Sequence, residues 1–235
     1  METFMFTIAT NGYDEIYHNY LESHRQYAER FGYKYLAFTK SPPQGISGTN
    51  SAWMKVAIIL RALEKGYETI FFIDSDALIR DYTPPIESIF YPGKSIYMSV
   101  ESTGKFNSGV IIVKNTSESV NFFQRLLCRA DVPGFLLPKS DRCLYENGHV
   151  INLAKNSPIV QVIDPKWNYN YNTNLPEGER EYIWHGRDTW HKKPRSKQKK
   201  MTLMQSLIQR ILHENGSRYF LLKRLIKFYE SEYLF

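Results

Sequence analysis

From residue 3 to residue 73 the chain alternates between two periodicities. TFMFTIAT reads as a strand, and residues 13 to 31 place Ile16, Tyr20, Tyr27 and Phe31 at helical spacing up to Gly32. YKYLAF reads as a second strand, residues 52 to 66 as an amphipathic helix, and ETIFFID as a third strand. Strands separated by helices of this length pair in parallel, and a parallel sheet needs cover on both faces. The expectation is an α/β fold, a mixed, mostly parallel sheet with helices on both faces, whose ligand crevice lies at the carboxyl ends of the strands.

The third strand runs into FFIDSDALI, an apolar run that carries Asp74 and Asp76 one residue apart. An unpaired carboxylate in a buried strand costs several kcal/mol, so these two belong where the strand ends. Two hard oxygen ligands at a rigid strand end suit Mg²⁺ or Mn²⁺, which also take phosphate oxygens and water. The alternative is a turn in which one Asp caps the following segment through backbone N–H groups.

Further strands are expected at 95 to 100, 106 to 115, 158 to 164 and 181 to 185, with helices from about 117 to 130 and 141 to 156. The chain then changes character. Residues 186 to 235 hold 12 Lys/Arg and 4 Asp/Glu, net +8, whereas the rest of the chain is net −2. This divides the chain into a body, 1 to 193, and an appendage, 194 to 235, made of a basic linker and a helical hairpin. MTLMQSLIQRILH forms the first arm and the segment from Arg218 the second. In the second arm Leu221, Leu222, Leu225, Ile226 and Tyr229 make an apolar stripe flanked by Arg218, Lys223, Arg224 and Lys227. Such a stripe either packs on the body or lies on an anionic membrane. Cys128 and Cys143 have no zinc-ligand spacing and form no disulfide framework. With no leader pattern and no long apolar run in the chain as given, the expected location is cytoplasmic, or at the periphery of a membrane.

Several pieces occur in order: Trp53-Met-Lys55 before the third strand, FFIDSDALI, Phe106-Asn107-Ser108-Gly109 leading into a strand, Tyr145-Glu146-Asn147-Gly148 leading into Ile151-Asn152-Leu153, and Tyr182-Ile-Trp-His185-Gly186. Together they resemble the galactosyl-/mannosyltransferase family that includes galactomannan galactosyltransferases and xyloglucan xylosyltransferases. The resemblance implies a GT-A (Rossmann-like) glycosyltransferase that moves a sugar from a nucleotide diphosphate sugar to a glycan or glycoconjugate hydroxyl, with retention. It implies Mn²⁺ or Mg²⁺ on Asp74, Asp76 and His185, and a UDP-sugar in preference to a GDP-sugar. Thr10, Asn11 and Tyr13 would meet base and ribose, Ser75 and Asp74 the nucleotide, and Lys55 a phosphate. Asn107 and Glu146 would face the reacting sugar, and Arg187 and Lys193 the departing diphosphate, Lys192 competing for that role. Asn147 departs from the family, which usually has Gln there.

Two other readings fit parts of the pattern. Haloacid-dehalogenase-like phosphatases also end an apolar strand in Asp-x-Asp, but with Thr or Val where this chain has Leu78, and with the motif close to the start of the domain. A non-catalytic module would use the basic tail on a membrane or a nucleic acid; for the glycosyltransferase no nucleic-acid partner is expected.

Overall fold

The computed structural model describes residues 2–43, 45–186, 216–233 and 235. Six strands form the main sheet in the order β2-β1-β3-β6-β5-β7. They are β1 Thr3–Ile8, β2 Lys34–Phe38, β3 Thr69–Ile73, β5 Ile96–Met98, β6 Val110–Lys114 and β7 Val160–Val162. The first three strands pair in parallel and β7 runs parallel to β5, while β6 is antiparallel to both neighbours. This is the expected mixed, mostly parallel sheet.

Residue alternation along these strands supplies two cores. Phe4, Phe6, Ile70, Phe72, Ile111 and Val113 point to one face, where they meet α3 (Gly48–Glu64), α4 (Ser117–Leu127) and α5 (Asn147–Ala154). Met5, Phe71, Ile73, Val110 and Ile112 point to the other and pack with Tyr27 and Ala28 of α2 (His18–Phe31). A period of two therefore fills both layers with apolar side chains, as a doubly covered sheet requires.

The strands are shorter than expected at their ends, and three helix boundaries differ from the sequence expectation for a local reason. The helix expected over 13 to 31 is divided into α1, Tyr13–Ile16, and α2, because Tyr17 (φ −111°, ψ 27°) leaves helical geometry and the ladder restarts from its carbonyl. Helix α3 begins four residues earlier than expected, where the Ser47 side chain accepts from the Asn50 N–H as an N-cap. The helix expected from 141 starts only at Asn147, because Tyr145 adopts φ +55° and Gly148 packs close to the Asp141 carbonyl. Asp141 is held by Asn152 (2.6 Å) and by Lys155 (2.6 Å), hydrogen bonds that take its carboxyl down to about 2 and pin this loop onto α5.

The C-terminal helix α6, Arg218–Tyr233, turns its apolar stripe onto α3: Leu222, Leu225 and Tyr229 are fully buried. Packing on the body is the alternative observed, with Lys223, Arg224 and Lys227 left exposed. Thr39 and Lys40 N–H groups donate to the Tyr233 hydroxyl, and Arg61 pairs with Glu230, so α6 is tied down along its length. The first arm of the expected hairpin, the basic run before it and the body–appendage boundary lie outside the described residues. Among the described residues no helix is long and apolar enough to cross a membrane.

FFIDSDALI does not continue as one strand. After β3 the chain turns at Asp74–Asp76, with Ala77 N–H donating to the Asp74 carbonyl (3.1 Å), and β4, Ala77–Ile79, leaves the main sheet to pair with β8, Ile183–His185. Helix α2 holds this departure in place. The fully buried His24 donates from Nε2 to the Ala77 carbonyl (2.6 Å), and Ile79 N–H donates to the Ser23 hydroxyl (3.1 Å).

Burial lowers the His24 pKa from 6.5 to about 4, against the Ala77 hydrogen bond that favours the proton. The unfolded chain therefore takes this proton first. The contribution is complete above about pH 6.5 and is lost as pH falls toward 4, amounting to about 3 kcal/mol in all. Urea unfolding of wild type and His24→Gln at pH 7 and pH 4.5 should show a steeper acid loss in wild type; parallel losses would contradict this assignment.

Candidate active site

Parallel pairing of β1 with β3 brings their carboxyl ends to one edge, so Thr10 and Asn11 follow β1 where Asp74 follows β3. The β4–β8 register sets Ala77 opposite His185 and so places the imidazole beside the Asp turn. His185 Nε2 lies 3.6 Å from Asp74 Oδ2 and 3.5 Å from Asp76 Oδ1. Ligand atoms of Asp74, Asp76 and His185 all lie within 4.8 Å of one another.

Gly109 makes this approach possible. A Cβ built there would overlap the His185 ring and stand 3.0 Å from Asp74 Oδ2. Gly109→Ala should therefore cost about 1–3 kcal/mol of stability by overpacking and displace His185 from the carboxylates. Gly48→Ala, with nothing within 4 Å of its Cβ, is the control and should be neutral or slightly stabilising. Equal thermal unfolding of the two variants would contradict the close contact at Gly109.

The donor set fits a hard divalent ion. An octahedral ion at about 2.1 Å holds neighbouring ligands about 3 Å apart and opposite ones about 4 Å apart, and the two His185–carboxylate separations fall between these. His185 Nδ1 sits 2.7 Å from Asn168 Oδ1, a bond in which the ring donates, leaving the Nε2 lone pair for the cluster. The charges of the three groups act on one another. Burial pushes the Asp74 carboxyl above its ordinary range, against the pull of Lys55 and His185. Burial pushes Asp76 the same way, but the His185 hydrogen bond and charge outweigh it and leave Asp76 below its ordinary value. Burial would lower His185, yet the two Asp side chains hold it above its ordinary value.

Beside this cluster is a buried ion network. Lys55 Nζ lies 3.2 Å from Asp74 Oδ1, 3.0 Å from Glu146 Oε1 and 3.1 Å from the Ser108 carbonyl. The Lys55 ammonium is thus engaged by two carboxylates inside the protein, where the sequence suggested a phosphate contact. Burial works against its charge, but Asp74 and Glu146 keep it above the ordinary lysine value. Glu146 is 2% exposed and also accepts from the Ser108 hydroxyl at 2.8 Å. Asn147, the departure from the family, clamps the neighbouring loop: its Oδ1 accepts from Ser108 N–H and its Nδ2 donates to the Phe106 carbonyl.

Other expected site residues are distributed as follows. Thr10 and Ser75 are buried, and Asn11 (φ +62°) is held by Ser41 and by the Ile46 carbonyl. Tyr13 is exposed at the start of α1, not a core aromatic. Asn107 is tied to Gly109 N–H, Asn168 and Glu101. Arg187, Lys192 and Lys193 lie outside the described residues. Sequence reasoning missed Asn168 and the close approach at Gly109. Asn168 ends a 3-10 turn, Pro165–Asn168, capped by Asp164, and the Asp-Pro start of that turn was the only local signal.

Residues 4–95 match the model of the galactosyl transferase GMA12/MNN10 family. This stretch carries Thr10, Asn11, Tyr13, Lys55, Asp74, Ser75 and Asp76, and it stops before Asn107, Glu146 and His185. No curated protein sequence matches the chain. A glycosyltransferase involved in the glycosylation of the major capsid of PBCV-1 is similar in structure, with a TM-score of 0.54 at 19% identity over 72% of this chain and 84% of that one. Galactosyltransferase LgtC, in complex with donor and acceptor sugar analogues, gives 0.53 at 12% identity over 91% and 96%. The glycosyltransferase GlyE of Streptococcus pneumoniae TIGR4 gives 0.53 at 11% identity over 97% and 64%. Over residues 4–95 the chain is thus similar to the galactosyl transferase GMA12/MNN10 family, and it shares the fold of these solved glycosyltransferases.

Proposed function

We propose that the chain transfers a sugar, with retention, from a nucleotide diphosphate sugar to a hydroxyl of a glycan or glycoconjugate, and that it does so with Mn²⁺ or Mg²⁺ bound. The observation that carries this reading is the Asp74, Asp76 and His185 cluster at the carboxyl edge of a parallel β-pair, where ligands of such sheets bind. A divalent ion held there supplies positive charge to the departing diphosphate.

The protein's own groups then divide the work. Exposed Tyr13 stacks on the base, with Thr10, Asn11 and Ser75 toward ribose and diphosphate. Lys55 pairs with Asp74 and Glu146 inside the site rather than meeting phosphate directly. Glu146 is held in place by Lys55 and the Ser108 hydroxyl. Its charge faces the cationic character that develops on the sugar, which favours departure and attack on the same face. Asn107 orients the sugar, and Arg187 and Lys193 meet the leaving diphosphate. With the α6 stripe buried, membrane contact by α6 rests on exposed Lys223, Arg224 and Lys227 and is salt-sensitive.

The reading is tested by incubating the protein with UDP- and GDP-sugars and Mn²⁺ and following the released nucleoside diphosphate and the anomeric configuration of the product by NMR. A UDP-sugar should be consumed with retention. Inversion would remove the role given to Glu146, and release of inorganic phosphate without nucleotide preference would favour a phosphatase.

A further inference from the structure

We infer that Glu101 is a positioning residue for the metal site: it anchors a line of hydrogen bonds through Asn107 and Asn168 that ends on His185 Nδ1 and so holds the imidazole against Asp74 and Asp76. The inference rests on the metal reading above and goes beyond it, since Glu101 belongs to none of the motifs and lies outside the family match.

The direction of every bond in the line follows from groups whose roles are not interchangeable. Gly109 N–H can only donate, so the Asn107 atom 2.8 Å from it is the side-chain oxygen. The Asn107 amide nitrogen therefore faces Glu101, donating to Oε1 at 2.9 Å. One Asn168 atom lies 3.3 Å from the Asn107 backbone carbonyl and 3.1 Å from Asn107 Oδ1, both acceptors, so it is the amide nitrogen. Asn168 Oδ1 is then left to accept from His185 Nδ1 at 2.7 Å. Nδ1 is thus the nitrogen that carries a proton in this bond, and Nε2 is the nitrogen that faces the carboxylate cluster.

Each bond donates toward Glu101, so an anion there polarises both amides in the sense that strengthens His185 as a ligand. The reverse arrangement would set the Asn107 oxygen against the Glu101 carboxylate and its NH₂ against the Gly109 N–H. Glu101 is well placed as an anchor. Its N–H donates to the Lys105 carbonyl (2.9 Å), its carbonyl accepts from Gly104 N–H (2.8 Å), and Ser102 N–H donates to the Asn172 carbonyl (2.9 Å). Gly104 takes φ +76° to close this hairpin.

Two readouts test the inference with Glu101→Ala, which removes the anchor, and Glu101→Gln, whose side-chain oxygen still accepts from Asn107. Calorimetric titration with Mn²⁺ alone should show about tenfold weaker binding in Glu101→Ala, the scale on which outer partners act, and recovery to within about threefold in Glu101→Gln. Long-range ¹H–¹⁵N correlation of the metal-free protein should show the same His185 tautomer in both proteins, with the Nδ1 resonance shifted in Glu101→Ala as its bond to Asn168 weakens. A lower Tm for Glu101→Ala with unchanged Mn²⁺ affinity and an unshifted Nδ1 resonance would overturn the inference and leave the metal reading standing. Absence of Mn²⁺ binding by wild type would overturn both.

Discussion

Asp76→Asn should abolish Mn²⁺-dependent binding of a nucleoside diphosphate, by about 100-fold or more, beyond what the loss of an outer partner costs, while the metal-free protein stays folded. The two Asp side chains are not equivalent. Asp74 is paired directly with Lys55 and held above its ordinary value by burial, whereas Asp76 pairs with His185 and lies below its ordinary value. Replacing Asp76 by its amide keeps the shape of the turn, since Ala77 N–H bonds the Asp74 carbonyl and Gly186 N–H the Asp76 carbonyl, both backbone contacts. The loss should therefore appear in metal and nucleotide affinity and not in fold. Unaltered calorimetric affinity in this variant would remove the metal role of the cluster.

Glu146→Gln is expected to lower kcat by about 10²–10³, the scale of losing one preorganised electrostatic group, with donor affinity nearly unchanged. The fold should survive, because Lys55 keeps Asp74 as a partner and the Ser108 hydroxyl can donate to the new amide oxygen. Steady-state kinetics separate the possibilities. A wild-type kcat with a raised KM would make Glu146 an ordinary binding residue.

Much of the sheet was legible in the chain, because alternation of helix and strand periods determines which elements can pair. Phe4, Met5 and Phe6 alternate between the two cores, and that is a property of period two. The end of β3 was legible for a different reason: two carboxylates cannot stay inside an apolar strand, and the chain turns at Asp74. What was hidden depends on contacts between distant segments. His185 meets Asp74 and Asp76 only through the β4–β8 register. The burial of Lys55 between two carboxylates cannot be read from its helix, where it occupies an ordinary amphipathic position. Asn168 is invisible as a site residue until His185 is placed against it. The stripe on α6 was equally consistent with membrane and core, and it is the surface of α3 that settles where it packs.

The most direct test is calorimetry of UDP binding to the full chain with Mn²⁺ and again with the metal chelated. Binding that is present with Mn²⁺ and lost with chelation is the predicted result. At a free UDP concentration of 100 times Kd the same complex should add about 2.7 kcal/mol of stability, visible as a rise in Tm only when metal is present. Binding of equal strength in both conditions, or none in either, would contradict the claim that Asp74, Asp76 and His185 hold a nucleotide diphosphate sugar through a divalent ion.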